Sequence, residues 1–100
     1  MSEYKVLLEF LRPEYIKDLS VSRAQEQGLL QVWLNVSKQG SEQSITLSGY
    51  NDLASALSDL LQVERVVISR ELNSGKEFGT IRIECWDDDR YSEYRCDKAD

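Results

Sequence analysis

Histidine is missing from all 100 residues, and that gap removes the commonest general base and the commonest metal ligand together. Neither a serine–histidine nor a cysteine–histidine nucleophile can be assembled without it. Cysteine is scarce too. Two thiols, Cys85 and Cys96, are too few for a disulfide framework and lack the CxxC spacing of a zinc site. They read as two reduced thiols, able to meet only if the turn-like DDDRYSEY between them closes a hairpin. There is one proline, and no low-complexity tract or solenoid-length repeat. No apolar run approaches the ~18 residues of a membrane span. The start, MSEYKVLLEF, does not resemble a secretory signal, because Glu3 and Glu9 flank too short an apolar run. A cytoplasmic location and no membrane contact are expected. A phosphate-cradling loop is also lacking: GKEFG has no Walker spacing and lies between strand-like runs.

What is present is a chain that is 41% hydrophobic, enough for one core, so residues 1–100 are expected to form a single domain. Eighteen acids face twelve bases, a net charge of −6. Residues 84–100 hold seven of those acids and three of the bases, so the imbalance concentrates at the C-terminal end. An acidic segment over 87–100 repels phosphate backbones and favours a basic protein surface. Direct nucleic-acid binding is therefore not expected.

The best-specified stretch is 51–68, NDLASALSDLLQVERVVI. Leu53, Leu57, Leu60 and Leu61 fall on one helical stripe, and Asn51 or Asp52 can cap the first turn. Val66, Val67 and Ile68 then switch to strand character. Residues 4–11 alternate as a strand with Tyr4, Val6, Leu8 and Phe10 on one face, stopped by Pro13. A helical turn is expected over 13–19, although Leu19 and Val21 also alternate with Ser20 and Ser22. Residues 29–37 and 45–49 alternate as a hairpin around KQGSEQ, where Gly40 suits a positive φ. Further strands are expected over 65–72 and 80–86, the latter with Ile81, Ile83 and Cys85 inward; on the same basis Cys96, beyond it, is expected to be accessible. These elements predict an α+β fold: a mostly antiparallel sheet of about five strands with one main helix, about 51–62, on one face.

Asp87, Asp88 and Asp89 are the only carboxylate run. Hard oxygen ligands could hold Ca²⁺ or Mg²⁺, but the stretch lacks the turn-making glycine of a calcium loop. It reads as a charged hairpin tip, and no metal or cofactor is expected. The aromatic pattern says more. With the β-branched positions facing the helix, Trp33 and Trp86 fall on the opposite sheet face with Leu7 and Leu11. Tyr91, Glu93 and Tyr94 follow in the acidic segment. Tryptophan and tyrosine set among carboxylates make a contact surface for a basic partner. The candidate partner-binding residues are thus Trp33, Trp86, Asp87, Asp88, Asp89, Tyr91, Glu93 and Tyr94.

The order of elements over 29–86, a hairpin, a helix opened by Tyr50, Asn51, Asp52 and Leu53 and continued by ALSDLL, then two more strands, resembles small bacterial immunity proteins. These are the partners of cell-wall-associated polymorphic toxins. The resemblance implies a protein that binds and blocks a toxin domain, without catalysis of its own, and that is acidic because many such toxins are basic nucleases. Residues 13–27 and the charged C-terminus depart from that layout, so no binding residue carries over by position. The expected function is a non-catalytic, protein-binding inhibitor of a basic toxin or nucleic-acid-binding protein. Two alternatives share these features: a phage-encoded inhibitor of a host nucleic-acid-binding complex, and an assembly subunit that forms a homodimer through the Trp-bearing sheet face.

Overall fold

Among the described residues, eight strands divide between two antiparallel sheets, with the helix shared by both. The structure, a computed structural model, describes residues 3–11, 16–23, 29–38, 40–49, 51–72, 75 and 79–100. In chain order the elements are β1 (Glu3–Leu11), β2 (Ile16–Arg23), β3 (Leu30–Lys38), β4 (Ser41–Gly49), α1 (Asn51–Gln62), β5 (Arg65–Leu72), β6 (Ile81–Asp87), β7 (Arg90–Cys96) and β8 (Lys98–Ala99). The first sheet has the order β1-β5-β6-β7 and the second β2-β3-β4-β8. The α+β class and the antiparallel pairing match the sequence reading; a single five-stranded sheet with the helix on one face does not. The helix instead packs against β3 and β4 of one sheet and β6 and β7 of the other.

Two segments account for the added strands. The first is 16–23, where β2 replaces the expected helical turn; residues 13–15 of that expectation lie outside the described residues. The Leu19 and Val21 alternation prevails because β3 offers an edge to pair with, in a register of Leu19 with Leu34 and Val21 with Val32. The second is the acidic C-terminal segment. β7 pairs with β6 through a two-residue turn, Asp88 and Asp89, between the partners Asp87 and Arg90. The chain then crosses at Asp97 into the second sheet, where Ala99 pairs with Leu47 and Lys98 with Ser48. Gly49 sits in this corner. A Cβ there would lie 2.8 Å from Cys96 Cβ and 3.1 Å from Cys96 Cα, so only glycine lets β4 and the crossing strand approach.

The helix spans the expected residues but presents a different stripe. Leu53, Ala56, Leu60 and, just past its end, Val63 are buried, while Leu57 is half-buried and Leu61 is 47% exposed. Ala56 lies fully buried within this stripe, between the two sheets that the helix packs against. The capping groups of Asn51 and Asp52 lie outside the described residues. Around the helix stripe the core gathers Phe10 from β1, Val32, Leu34 and Val36 from β3, Ile45 and Leu47 from β4, Val66 and Ile68 from β5, and Ile81, Ile83 and Cys85 from β6.

β1 carries a second correction. Its register shifts between Val6 and Leu8, so Val6 pairs with Ser69 and Tyr4 with Glu71, whereas Leu8 pairs with Ile68 and Phe10 with Val66. The bulge at Leu7 turns Tyr4 and Val6 to the outer face and leaves Leu8 and Phe10 in the core. Plain alternation puts all four on one side because it cannot count an inserted residue.

The thiols do not face each other. Cys85 pairs with Ser92 and Cys96 with Ile81, four rungs apart on the β6–β7 ladder. Both are buried and free, which overturns the expected accessibility of Cys96. The chain that follows it pairs with β4, through Asp97 N–H to the Ser48 carbonyl and then β8. Of the connection NSGKEFG, residues 73, 74 and 76–78 lie outside the described residues; β5 and β6 pair antiparallel on either side of it.

Candidate functional site

Cross-strand register builds the outer face of the first sheet one rung at a time. At its end the pairs Leu11 with Arg65, Arg65 with Trp86 and Trp86 with Tyr91 place four side chains in a row. Trp86 is gripped from both sides. Its ring lies 5.2 Å from that of Tyr91 at 50°, and the Arg65 guanidinium stands 4.8 Å from its centroid. Arg65 is held there by Glu9, whose Oε2 accepts from Nε at 3.1 Å and from Nη2 at 2.7 Å.

The next rung carries Glu84 opposite Glu93, two like charges that would repel if left alone. The Tyr91 hydroxyl lies between them, 2.9 Å from Glu84 Oε2 and 2.8 Å from Glu93 Oε1, so it donates to one or the other. Partial loss of hydration, then the bonds to Glu93 and Glu84, push the Tyr91 phenol above its ordinary range. Loss of hydration works to raise the Glu93 carboxyl, but the Tyr91 hydroxyl and the Arg95 guanidinium win and hold it below its usual value. Arg82 pairs with Glu84 at 3.0 Å, and Arg95 reaches Glu93 at 3.1 Å, Glu71 at 3.3 Å and the Tyr4 hydroxyl at 3.1 Å. The Arg82 guanidinium carbon also stands over the Tyr4 ring, 3.5 Å from its centroid. In this half of the face two guanidiniums and three carboxylates are occupied with each other.

Beyond the Trp86 rung that mutual pairing ends. Leu11, Glu64, Arg65, Trp86, Asp87 and Asp88 line an open groove of about 510 Å³. The Glu64 amide donates to the Trp86 carbonyl at 3.1 Å, which fixes the residue after the helix beside the end of β6. The carboxylates of Glu64, Asp87 and Asp88 come within 4.8 Å of one another. Asp87 has Arg90 at 3.9 Å, whereas among the described residues neither Glu64 nor Asp88 has an ion-pair partner. Exposed carboxylates at such a spacing are common, and by themselves they do not make a metal centre.

Of the residues singled out from sequence, the structure brings together Trp86, Asp87, Asp88, Tyr91 and Glu93. Asp89 is exposed at the tip of the turn, outside the groove lining. Tyr94 pairs with Ile83 and so belongs to the inner face; its hydroxyl donates to Asp59 Oδ2 at 2.6 Å and ties β7 to the helix. That bond comes first among the effects raising its pKa. Trp33 is the larger correction. It lies in β3, between Ser20 and Thr46, on the outer face of the second sheet, and is 37% exposed. No single sheet face therefore carries both indoles, because the two strands belong to different sheets. Leu11 shares the outer face of the first sheet with Trp86, as the alternation suggested, with Arg65 between them. Glu64 and Arg65 were missed: they join the groove through pairing with β6, a long-range register that no local pattern encodes.

Comparison with known proteins gives no match, whether with protein-family models, curated proteins or solved structures. Among the described residues no helix is long and apolar enough to cross a membrane.

Proposed function

We propose that the chain is a non-catalytic inhibitor that binds a basic protein, as an immunity-type protein does, in the cytoplasm. The observation that carries this reading is the groove at the end of the first sheet. There a half-buried tryptophan, braced by Tyr91 and Arg65, stands among three carboxylates of which two have no cationic partner among the described residues. A braced aromatic makes a good anchor, since little side-chain freedom remains to be lost on binding. Excess negative charge at the rim speeds encounter with a basic surface and disfavours acidic ones. The lack of histidine and the net charge of −6 fit the same reading.

The test begins with capture of the partner from the source cell on the immobilised protein. Reversal of Asp87 and Asp88 to lysine is expected to slow association and to weaken its dependence on salt. Trp86→Ala is expected to speed dissociation about 30-fold or more, as loss of a hot-spot aromatic does. An acidic partner, or a basic one indifferent to both variants, refutes the proposal.

A further inference from the structure

We infer that the groove receives a single arginine side chain of the basic partner, its stem along Leu11 and Trp86 and its guanidinium held by the carboxylates of Glu64 and Asp88. The inference rests on the function proposed above and narrows it to one chemical group. Three properties of the groove select that group. The first is charge: Glu64, Asp87 and Asp88 outnumber Arg65 in the lining, and Arg65 is already committed to Glu9. The second is the mixture of lining. Leu11 and Trp86 offer apolar surface beside the acids. A small hard cation such as Ca²⁺ has no use for that surface, because it takes oxygen ligands alone. A long side chain with an apolar stem and a charged head uses both. The third is shape. Carboxylates within 4.8 Å of one another present several acceptors to one planar, forked donor. A guanidinium spans such an arrangement with paired donors, whereas an ammonium acts as a hydrated point charge.

Blocked tetra-arginine and tetra-lysine peptides are the probes, with the indole emission of Trp86 read in a Trp33→Phe background. Saturable binding is expected, about fivefold tighter for the arginine peptide. Glu64→Gln with Asp88→Asn is expected to weaken it about tenfold, while Glu3→Gln with Asp18→Asn, an equal charge change elsewhere, alters it less than about twofold. Circular dichroism checks that each variant is folded. Equal weakening by the two charge pairs means that only the overall field attracts the peptide, and overturns the inference. Displacement of the peptide by Ca²⁺ at low millimolar concentration, with Ca²⁺ binding alone by calorimetry, overturns it in favour of a metal ion. A captured basic partner that depends on Trp86 but ignores the Glu64 and Asp88 changes overturns this inference alone and leaves the proposed function standing.

Discussion

Leu60 and Leu61 are adjacent in the chain and opposite in consequence. Leu60 is fully buried between the sheets and Leu61 is 47% exposed, so truncation separates them cleanly. Leu60→Ala is expected to lower the unfolding free energy by about 2–5 kcal/mol, and Leu61→Ala by less than about 0.5 kcal/mol. Urea titration of the two variants checks the rotation of the helix directly, since similar losses at both positions would contradict it. The cysteines make a second pair. Burial pushes both thiols from the usual 9.0 up to about 12, with nearby Asp59 and Asp97 acting in the same direction on Cys85 and Cys96 respectively. A thiol with a raised native pKa holds its proton more tightly folded than unfolded. Its contribution to stability is therefore complete below about pH 9 and is lost as the pH climbs toward 12. Urea midpoints are expected to fall across that window, and less steeply in a Cys85→Ala, Cys96→Ala protein. Native labelling by a thiol reagent at neutral pH is expected to be slow at both positions.

At the level of elements, what could be read from sequence depended on whether the information was local. The helix over 51–62, the β5 run of Val66, Val67 and Ile68, and the β3–β4 hairpin all follow from nearby residues, and all are present. The errors arose where a distant partner decides. β2 exists because β3 has an edge, the Leu7 bulge because β1 must follow β5, and the helix rotation because two sheets share one helix. In the groove, Trp86, Asp87 and Asp88 were legible as neighbours in the chain. Glu64 and Arg65 were not, since they arrive through pairing with β6. The sheet-to-sheet crossing offers a test of such distant fitting. Gly49→Ala places a methyl group 2.8 Å from Cys96 Cβ, with Cys96 Cα close behind. That overpacking is expected to cost about 1–3 kcal/mol, measured by urea unfolding. Gly40→Ala serves as a contrast: nothing lies near its Cβ, and any loss there comes from its φ of 82° alone. No loss at Gly49 would mean that β4 and the crossing strand are not in close contact.

Across the whole molecule, the two outer faces differ in kind. The first sheet shows interlocked charges ending in the acidic groove, while the second shows Trp33 among Ser20, Gln31 and Thr46. Acidic composition alone does not reveal such a division, because it averages over faces that the topology separates. The order of strands along the chain also has a consequence in time. β2, β3 and β4 pair with sequence neighbours, so most of the second sheet closes through short loops. β1 must instead wait for β5, with Leu11 joined to Arg65 and Glu3 to Leu72, and the whole of that sheet-forming stretch lies between them. Hairpins close in about 1–10 μs, whereas a loop of that length meets a larger entropic barrier. Pulse-labelled hydrogen exchange during refolding is thus expected to protect β3 and β4 amides before those of β1. Since Leu11 lines the groove, the surface proposed to meet a partner is among the last parts of the molecule to acquire its shape.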